Sequence, residues 1–506
     1  MIRTATGLFF VALVCAATPA RAADKDWLTF SGYLQSDLRY VIEDTRGATP
    51  GDGFRFEMNR NDLDLRLEIL PNPRLQAVVD ARFRFYGFNE AGRLTDLFRR
   101  AKVDPFDVLL DEAYVTVRGL GWKKLDLSVG RMVKTWGTAD QFNPTDNLSA
   151  RDFSDPLDYT RKVPNQMVEL TAYPARWVTL SATWVPVFKP SQLPPSAALG
   201  FAVERTPQGC FKSAPIPPLA ISDVQELGTL FTAIPACDLN FLDPAVHALT
   251  PPVNFANSQV GVKAAFQAWE IDFSLSYYYG RFSFPVAYTA VADVTSTPSG
   301  KFDVAYTAEV LYPRMQVLGA DFTWPLDFTE WFDLDDDVSF GFFGEAALIF
   351  PEKVVFGLRA IQDGALVVEK SHVNVQPDPF MKATVGLDTT LPWGTYLNAQ
   401  YVRGFFDEFA DLYGLHNYAV VALEQKWLDD ELQIRVATAA DLNDYSLNVY
   451  PQLTWVPVPG VELQGGTFLF LGDTAPADPY DYASKSRFGQ KAAGRSVAFV
   501  RVKGSW

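Results

Sequence analysis

The chain has 506 residues, 14% of them aromatic, and a formal net charge of −16. An acidic balance of that size excludes nucleic acid held through phosphate contacts, and it disfavours general adhesion to anionic surfaces. After the N-terminal segment no apolar run reaches 18 residues, which excludes a membrane-crossing helix.

The chain opens on "MIRTATGLFFVALVCAATPARA". Arg3 precedes an apolar stretch from Leu8 to Ala17, and Ala20-Arg21-Ala22 supplies a small-x-small cleavage site. Residues 1–22 are therefore expected to be a signal peptide, cleaved near Ala22, with 23–506 forming a single domain. Cys15 follows Val14, where a lipid-attachment site would carry a small residue, so it is assigned to the removed segment. Removing Arg3 and Arg21 leaves 42 basic against 60 acidic residues, a mature charge of −18.

The first mature segment, "WLTFSGYLQSDLRYVIE", alternates strictly. Leu28, Phe30, Leu34, Leu38, Tyr40 and Ile42 share one parity, and Gln35, Asp37, Arg39 and Glu43 share the other. Period two means a strand with one apolar and one polar face. The pattern returns at Leu63–Ile69, Leu75–Phe85, Ala419–Trp427 and Leu432–Val436. Short turns are expected near Asn72, Gly121, Ala175, Trp269, Trp331, Trp393, Asp429 and Pro457. They separate nine hairpin-like excursions, so 18 strands are expected. The segments 283–314 and 351–378 are the weakest, and sixteen strands is the alternative count.

A soluble sandwich hides its apolar face, whereas a membrane barrel turns it outward around a polar lumen. The tryptophans decide between them. Trp122, Trp177, Trp269, Trp331, Trp393, Trp427 and Trp455 lie in or beside the short turns, and Trp27 and Trp506 lie at the mature ends. All these places fall on one rim of a barrel, where interfacial anchoring collects aromatic residues. The expected fold is all-β: a transmembrane antiparallel barrel with short periplasmic turns and long extracellular loops.

Four long loops are expected, at 89–110, 132–165, 188–257 and 351–378. In the first, Arg93, Arg99, Arg100 and Lys102 stand beside Leu94, Leu97 and Phe98, which suits a short amphipathic helix with a basic face. Its charges either steer solutes or sit solvated near lipopolysaccharide. The loop 188–257 is Pro-rich and holds Cys210 and Cys237, which export would favour pairing as a disulfide. It reads as an ordered lid or constriction, with a flexible surface loop as the alternative.

The second loop is the densest in functional side chains: "GRMVKTWGTADQFNPTDNLSARDF", Gly130–Phe153. Arg131, Lys134, Trp136, Asp140, Asn143, Asp146, Arg151 and Asp152 are expected to form a hydrogen-bonded turn bordering the pore. Arg66, Arg82, Arg84 and Arg501 occupy lumen-facing parity, and they either line a wet channel or pair with neighbouring acids. No enzyme, cofactor or metal site is expected: the three histidines, His247, His372 and His416, have no ligand partner at sequence spacing.

The same stretch carries the pattern G-R-x4-W-G followed by N-P-x-D. It resembles an uncharacterised porin-like outer-membrane β-barrel family in which a strand ending in G-R enters a W-G turn and an N-P-x-D loop. Gln commonly follows the Arg in that family, and Met132 stands there here. The resemblance implies a Gram-negative outer-membrane channel or transporter, linked to uptake of apolar compounds or export of a polymer. A porin or substrate channel for small solutes is therefore the expected function. A structural barrel for a lipoprotein or polysaccharide-export partner is the alternative. Expected partners are outer-membrane lipid and lipopolysaccharide, small-molecule solutes, and the barrel-assembly machinery through the strand ending at Trp506.

Overall fold

The computed structural model describes residues 27–44, 55–158, 160–193, 204–205, 211–213, 238–242, 245–327, 339–391, 393–409, 414–472, 487–488 and 495–506. The expected signal peptide, Cys210, Cys237, Trp331 and most of 194–237 lie outside the described residues.

Eighteen strands form one sheet. In chain order they are β1 (Leu28–Asp44), β2 (Arg55–Asn72), β3 (Leu75–Tyr86), β4 (Phe106–Val117), β5 (Leu125–Met132) and β6 (Asn165–Ala175). Next come β7 (Val178–Val185), β8 (Gln259–Ala268), β9 (Ile271–Arg281), β10 (Arg314–Asp327), β11 (Ser339–Pro351) and β12 (Phe380–Thr390). The last six are β13 (Tyr396–Arg403), β14 (Asn417–Trp427), β15 (Leu432–Asp441), β16 (Leu447–Val458), β17 (Val461–Leu471) and β18 (Arg495–Ser505). Each pairs antiparallel with its sequence neighbours, and β1 pairs with β18 as well as β2, so the sheet closes into a barrel with no free edge.

The alternation read from the sequence is the alternation of the wall. Phe30, Leu38, Val79, Phe85, Leu423 and Ile434 face out and are exposed, while Asp37, Arg39, Asp62, Asp64 and Arg84 face in and are buried. Seven of the eight expected short turns fall at the junctions of consecutive barrel strands, and the eighth, at Trp331, lies outside the described residues. The turn after β14 is built from left-handed Leu428, Asp429 and Asp430. Trp27, Trp122, Trp177, Trp269, Trp393, Trp427, Trp455 and Trp506 are all exposed at that end, as a girdle requires.

The two weak segments do contain strands, but not in the wall. Val286–Ser296 and Phe302–Leu311 form one hairpin, and Val354–Gln362 and Ala365–Val375 form another. With Leu239–Phe241 and Ala245–Leu249 they make a separate six-stranded sheet at the long-loop end. Arg281 pairs directly with Arg314 beneath the first hairpin, so the barrel count stays at 18. The basic helix expected in 89–110 is also smaller than foreseen. It is a 3-10 turn at Leu94–Phe98 and a single helical turn at Arg100–Val103, and β4 already starts at Phe106.

Candidate functional site

Residues 133–158 and 160–164 leave the top of β5 and fold into the lumen. Their first contact is with β11, where Glu345 projects inward between Phe343 and Ala347. Its carboxylate accepts the Thr145 N–H at 2.8 Å, the Thr145 hydroxyl at 2.6 Å, and the Thr138 and Ala139 N–H groups at 3.1 and 3.2 Å. Asn143 Nδ2 adds a fifth donor at 3.2 Å. So many donors satisfy a buried carboxylate that would otherwise be costly to desolvate. Gly137 lies directly against it: φ is +96°, and a Cβ there would sit 2.2 Å from Glu345 Oε2. Neighbouring strands add a hydrogen bond from Thr384 Oγ1 to Phe142 O at 2.6 Å and a platform at Gly261. A Cβ at Gly261 would stand 2.7 Å from the Trp136 ring, so the wall has no side chain where the indole packs.

The loop's second contact is on the far side. Asp155 receives Arg39 Nη1 and Nη2 at 2.6 and 2.7 Å and Arg60 Nη2 at 2.8 Å. Arg39 is on β1 and Arg60 on β2, and in the closed 18-strand order β2 lies nine strands from β11 in either direction. The segment is therefore a strap across the lumen, tied to opposite walls. Burial works against the Asp155 charge, but the hydrogen bonds and charge of Arg39, with Arg60 behind, hold its carboxyl well below the usual range.

Between the ties, Asp146 organises the strap. It accepts the Trp136 N–H at 3.2 Å, Arg151 at 3.4 Å and the Lys162 ammonium. Burial lowers the Lys162 ammonium pKa and Asp146 partly offsets this. Arg151 also lies 4.0 Å from the Phe406 ring centroid, and Phe142 stacks on the same ring at 5.3 Å. The start of the following loop runs beside the strap, through Gln192 N to Arg151 O and Phe153 N to Gln192 O, both at 2.9 Å. A cavity of about 50 Å³ opens here, lined by Phe142, Arg151, Phe282, Phe284, Lys382 and Phe406 among others.

The sequence-derived candidates divide. Trp136, Asn143, Asp146, Arg151 and Asp152 are buried within the strap, and Asp152 pairs with Arg161 at 3.3 Å. Lys134 pairs with Glu169 of the inner wall. Asp140 stands exposed in electrostatic reach of Arg435 and Asp388. Arg131 differs from expectation: it shares the outward parity of Val129, donating to Leu110 O on the adjacent strand rather than bordering the lumen. The register explains this, because the wall's inward residues beside it are Gly130 and the buried Met132.

Arg66, Arg82, Arg84 and Arg501 all point inward, and each is paired. Arg501 binds Asp37 at 2.8 Å, Arg84 binds Asp62 at 3.0 Å and Arg82 binds Asp64 at 3.1 Å and Asp111 at 2.7 Å. Arg66 bridges Asp80 at 3.0 Å and Glu112 at 2.8 Å. A register shift opposite Asp80 and Ala81 lets consecutive Asp111 and Glu112 both serve this arc. Arg66–Glu112 reaches from β2 across β3 to β4, and each of the other pairs ties adjacent strands together.

Sequence reading missed Glu345 and Asp155. Glu345 had a signal: it is the lone charge in "SFGFFGEAALIFP". His416 is also corrected. The carboxylates that meet its ring come from 25 and more residues further along the chain, where the fold brings Asp441 to 2.5 Å and Asp444 close by. Asp441 also accepts Asn443 N–H, and Asp444 accepts Ser446 and Arg487 N–H, so the group ties loops together.

No protein-family profile matches the chain, and no curated protein matches it by sequence. Among solved structures, it is similar to OccAB3 of Acinetobacter baumannii at 9% identity, over 95% of this chain and 99% of that one, with a TM-score of 0.46. OccK9 (OpdG) of Pseudomonas aeruginosa also gives 9% identity and a TM-score of 0.46, over 95% and 97%. The outer membrane protein opdK of Pseudomonas aeruginosa gives 9% and 0.44, over 94% and 99%.

Proposed function

We propose that this protein is an outer-membrane channel for small solutes, with residues 133–164 as its constriction. The observation that carries the reading is the strap itself, tied to Glu345 on one wall and to Arg39 and Arg60 on the opposite one. An 18-strand barrel encloses an aqueous interior unless something fills it. The apolar outer face and the tryptophan rim suit a bilayer, and the contrast between short turns and long loops supports short turns on the periplasmic side. The loop then narrows the lumen without sealing the wall. Phe142, Phe282, Phe284 and Phe406 line the small cavity beside buried Arg151 and Lys382, and this aromatic lining supports apolar or aromatic compounds among the cargo. The strand ending at Trp506 is the element an assembly machinery would engage.

Conductance in planar bilayers tests this. The wild type should give small discrete steps, and Glu345→Ala should give larger ones, because five strap donors lose their acceptor. A folded, inserted protein that conducts no ion or solute in either form would sink the channel reading.

A further inference from the structure

The hairpin joining β3 and β4 continues beyond the wall. Tyr86 N donates to Pro105 O at 3.0 Å, and Glu90 N donates to Lys102 O at 2.7 Å. Its tip, residues 91–103, exposes Leu94 by 74%, Leu97 by 59% and Phe98 by 82%. Arg93, Arg99 and Arg100 flank them and are exposed too. The acids nearby do little to screen those three. Asp96 is turned onto the Gly92 and Arg93 amides at 3.2 and 2.9 Å, Glu90 holds Lys102 at 2.7 Å, and Asp104 only reaches Arg100 at 3.6 Å.

The tip is not an isolated patch. Below it Phe88 approaches Phe56 at 6.5 Å, Phe56 meets Tyr40 at 5.4 Å, and Phe85 approaches Phe106 at 6.5 Å. These rings continue the apolar outer face of β1 to β4 upward to the long-loop end. A ligand fitting such a surface has hydrocarbon chains level with the wall and negative charge just above them.

We propose that this hairpin binds a phosphorylated, acylated glycolipid of the outer leaflet. Leu94, Leu97 and Phe98 lie against acyl chains, and Arg93, Arg99 and Arg100 meet phosphates, where bidentate guanidinium contacts are strongest. The inference rests on the outer-membrane placement above. A second copy of the chain is the other occupant an apolar patch can take, but a symmetric contact would press like-charged arginine clusters together.

The test is native mass spectrometry of the full-length mature protein in detergent, with bisphosphorylated lipid A or its dephosphorylated form as probe. The wild type should retain the phosphorylated lipid and hold the dephosphorylated one weakly. Retention should fall about fivefold for each arginine changed in Arg93→Gln, Arg99→Gln and Arg100→Gln. The combined Leu94→Ser, Leu97→Ser and Phe98→Ser variant should also lose it. Equal retention of both lipid forms by the wild type overturns the proposal, and that result needs no variant to fold. A dimer that the serine variant abolishes would also overturn it and assign the face to a second copy. Conductance measured on the same samples keeps the two readings apart, because a non-conducting protein that still retains the lipid fails only the channel proposal.

Discussion

Asp155 has two guanidiniums for partners and almost no contact with water. Its substitution by Asn keeps the shape but removes the charge, leaving Arg39 and Arg60 short of a counter-ion. Breaking a buried pair in this way costs about 3 to 5 kcal/mol. Because the folded carboxyl titrates far below the usual value, its stabilisation is complete above the unfolded pKa of about 3.9 and is lost only as pH falls through the folded one. The stability difference between wild type and Asp155→Asn should therefore be constant from pH 8 to about 5 and shrink only below about 4. Urea unfolding of the detergent-solubilised protein at several pH values measures it. A difference that disappears already near pH 6 would contradict the assignment of Asp155 as an ionised tie. Glu345 holds the other end by geometry rather than opposite charge, with backbone and hydroxyl donors all drawn from one loop.

At the scale of elements, the barrel strands and the long-loop sheet obey different rules. A wall strand shows apolar side chains outward and, away from the strap's packing surface on β10 and β11, polar ones inward, and its neighbours are its sequence neighbours. The strands Val286–Ser296 and Val354–Gln362 instead pair in parallel, although they belong to different loops. They bury apolar residues, Ala290, Ala292, Phe356, Leu358 and Ala360, in one shared cluster. Period two is common to both kinds, which is why the sequence left open whether these segments added strands to the wall. Since β9 and β10 already meet at Arg281 and Arg314, and Phe282 N reaches Pro313 O at 2.9 Å, the first hairpin is dispensable for closure. Excising 286–311 and joining the ends with a short linker should leave a folded barrel. Its heat-dependent shift in gel mobility is the check, and a product lacking that shift would show that the wall needs the crown.

Over the whole molecule, charge is arranged as an arc. From β18 through β1 and β2 to β4 the inward arginines and carboxylates alternate across strands, so no face of the arc is strongly cationic despite its arginine content. The consequence is measurable. Arg82→Gln leaves Asp64 and Asp111 without their shared cation and should shift the reversal potential in a salt gradient toward cation preference. An unchanged potential would mean that solutes pass elsewhere in the lumen.

What the sequence determined by itself is everything that depends on local periodicity. Alternation set which side chains face out, turn residues and tryptophans marked one rim, and the turn positions yielded the strand number. These are properties of a few consecutive residues, and each strand's pairing partner is simply the next strand. Only the tertiary structure decided what fills the barrel. The strap depends on Glu345 and Asp155, which are 190 residues apart and tied to walls nine strands from each other. No spacing rule connects them. Arg131 makes the same point in reverse: it sits in the polar stretch that looked most functional, yet its parity turns it outward, because in a strand direction is settled by register and not by chemistry. Glu345 lay unnoticed in an apolar strand because only the folded loop supplies the donors that make a buried carboxylate tolerable.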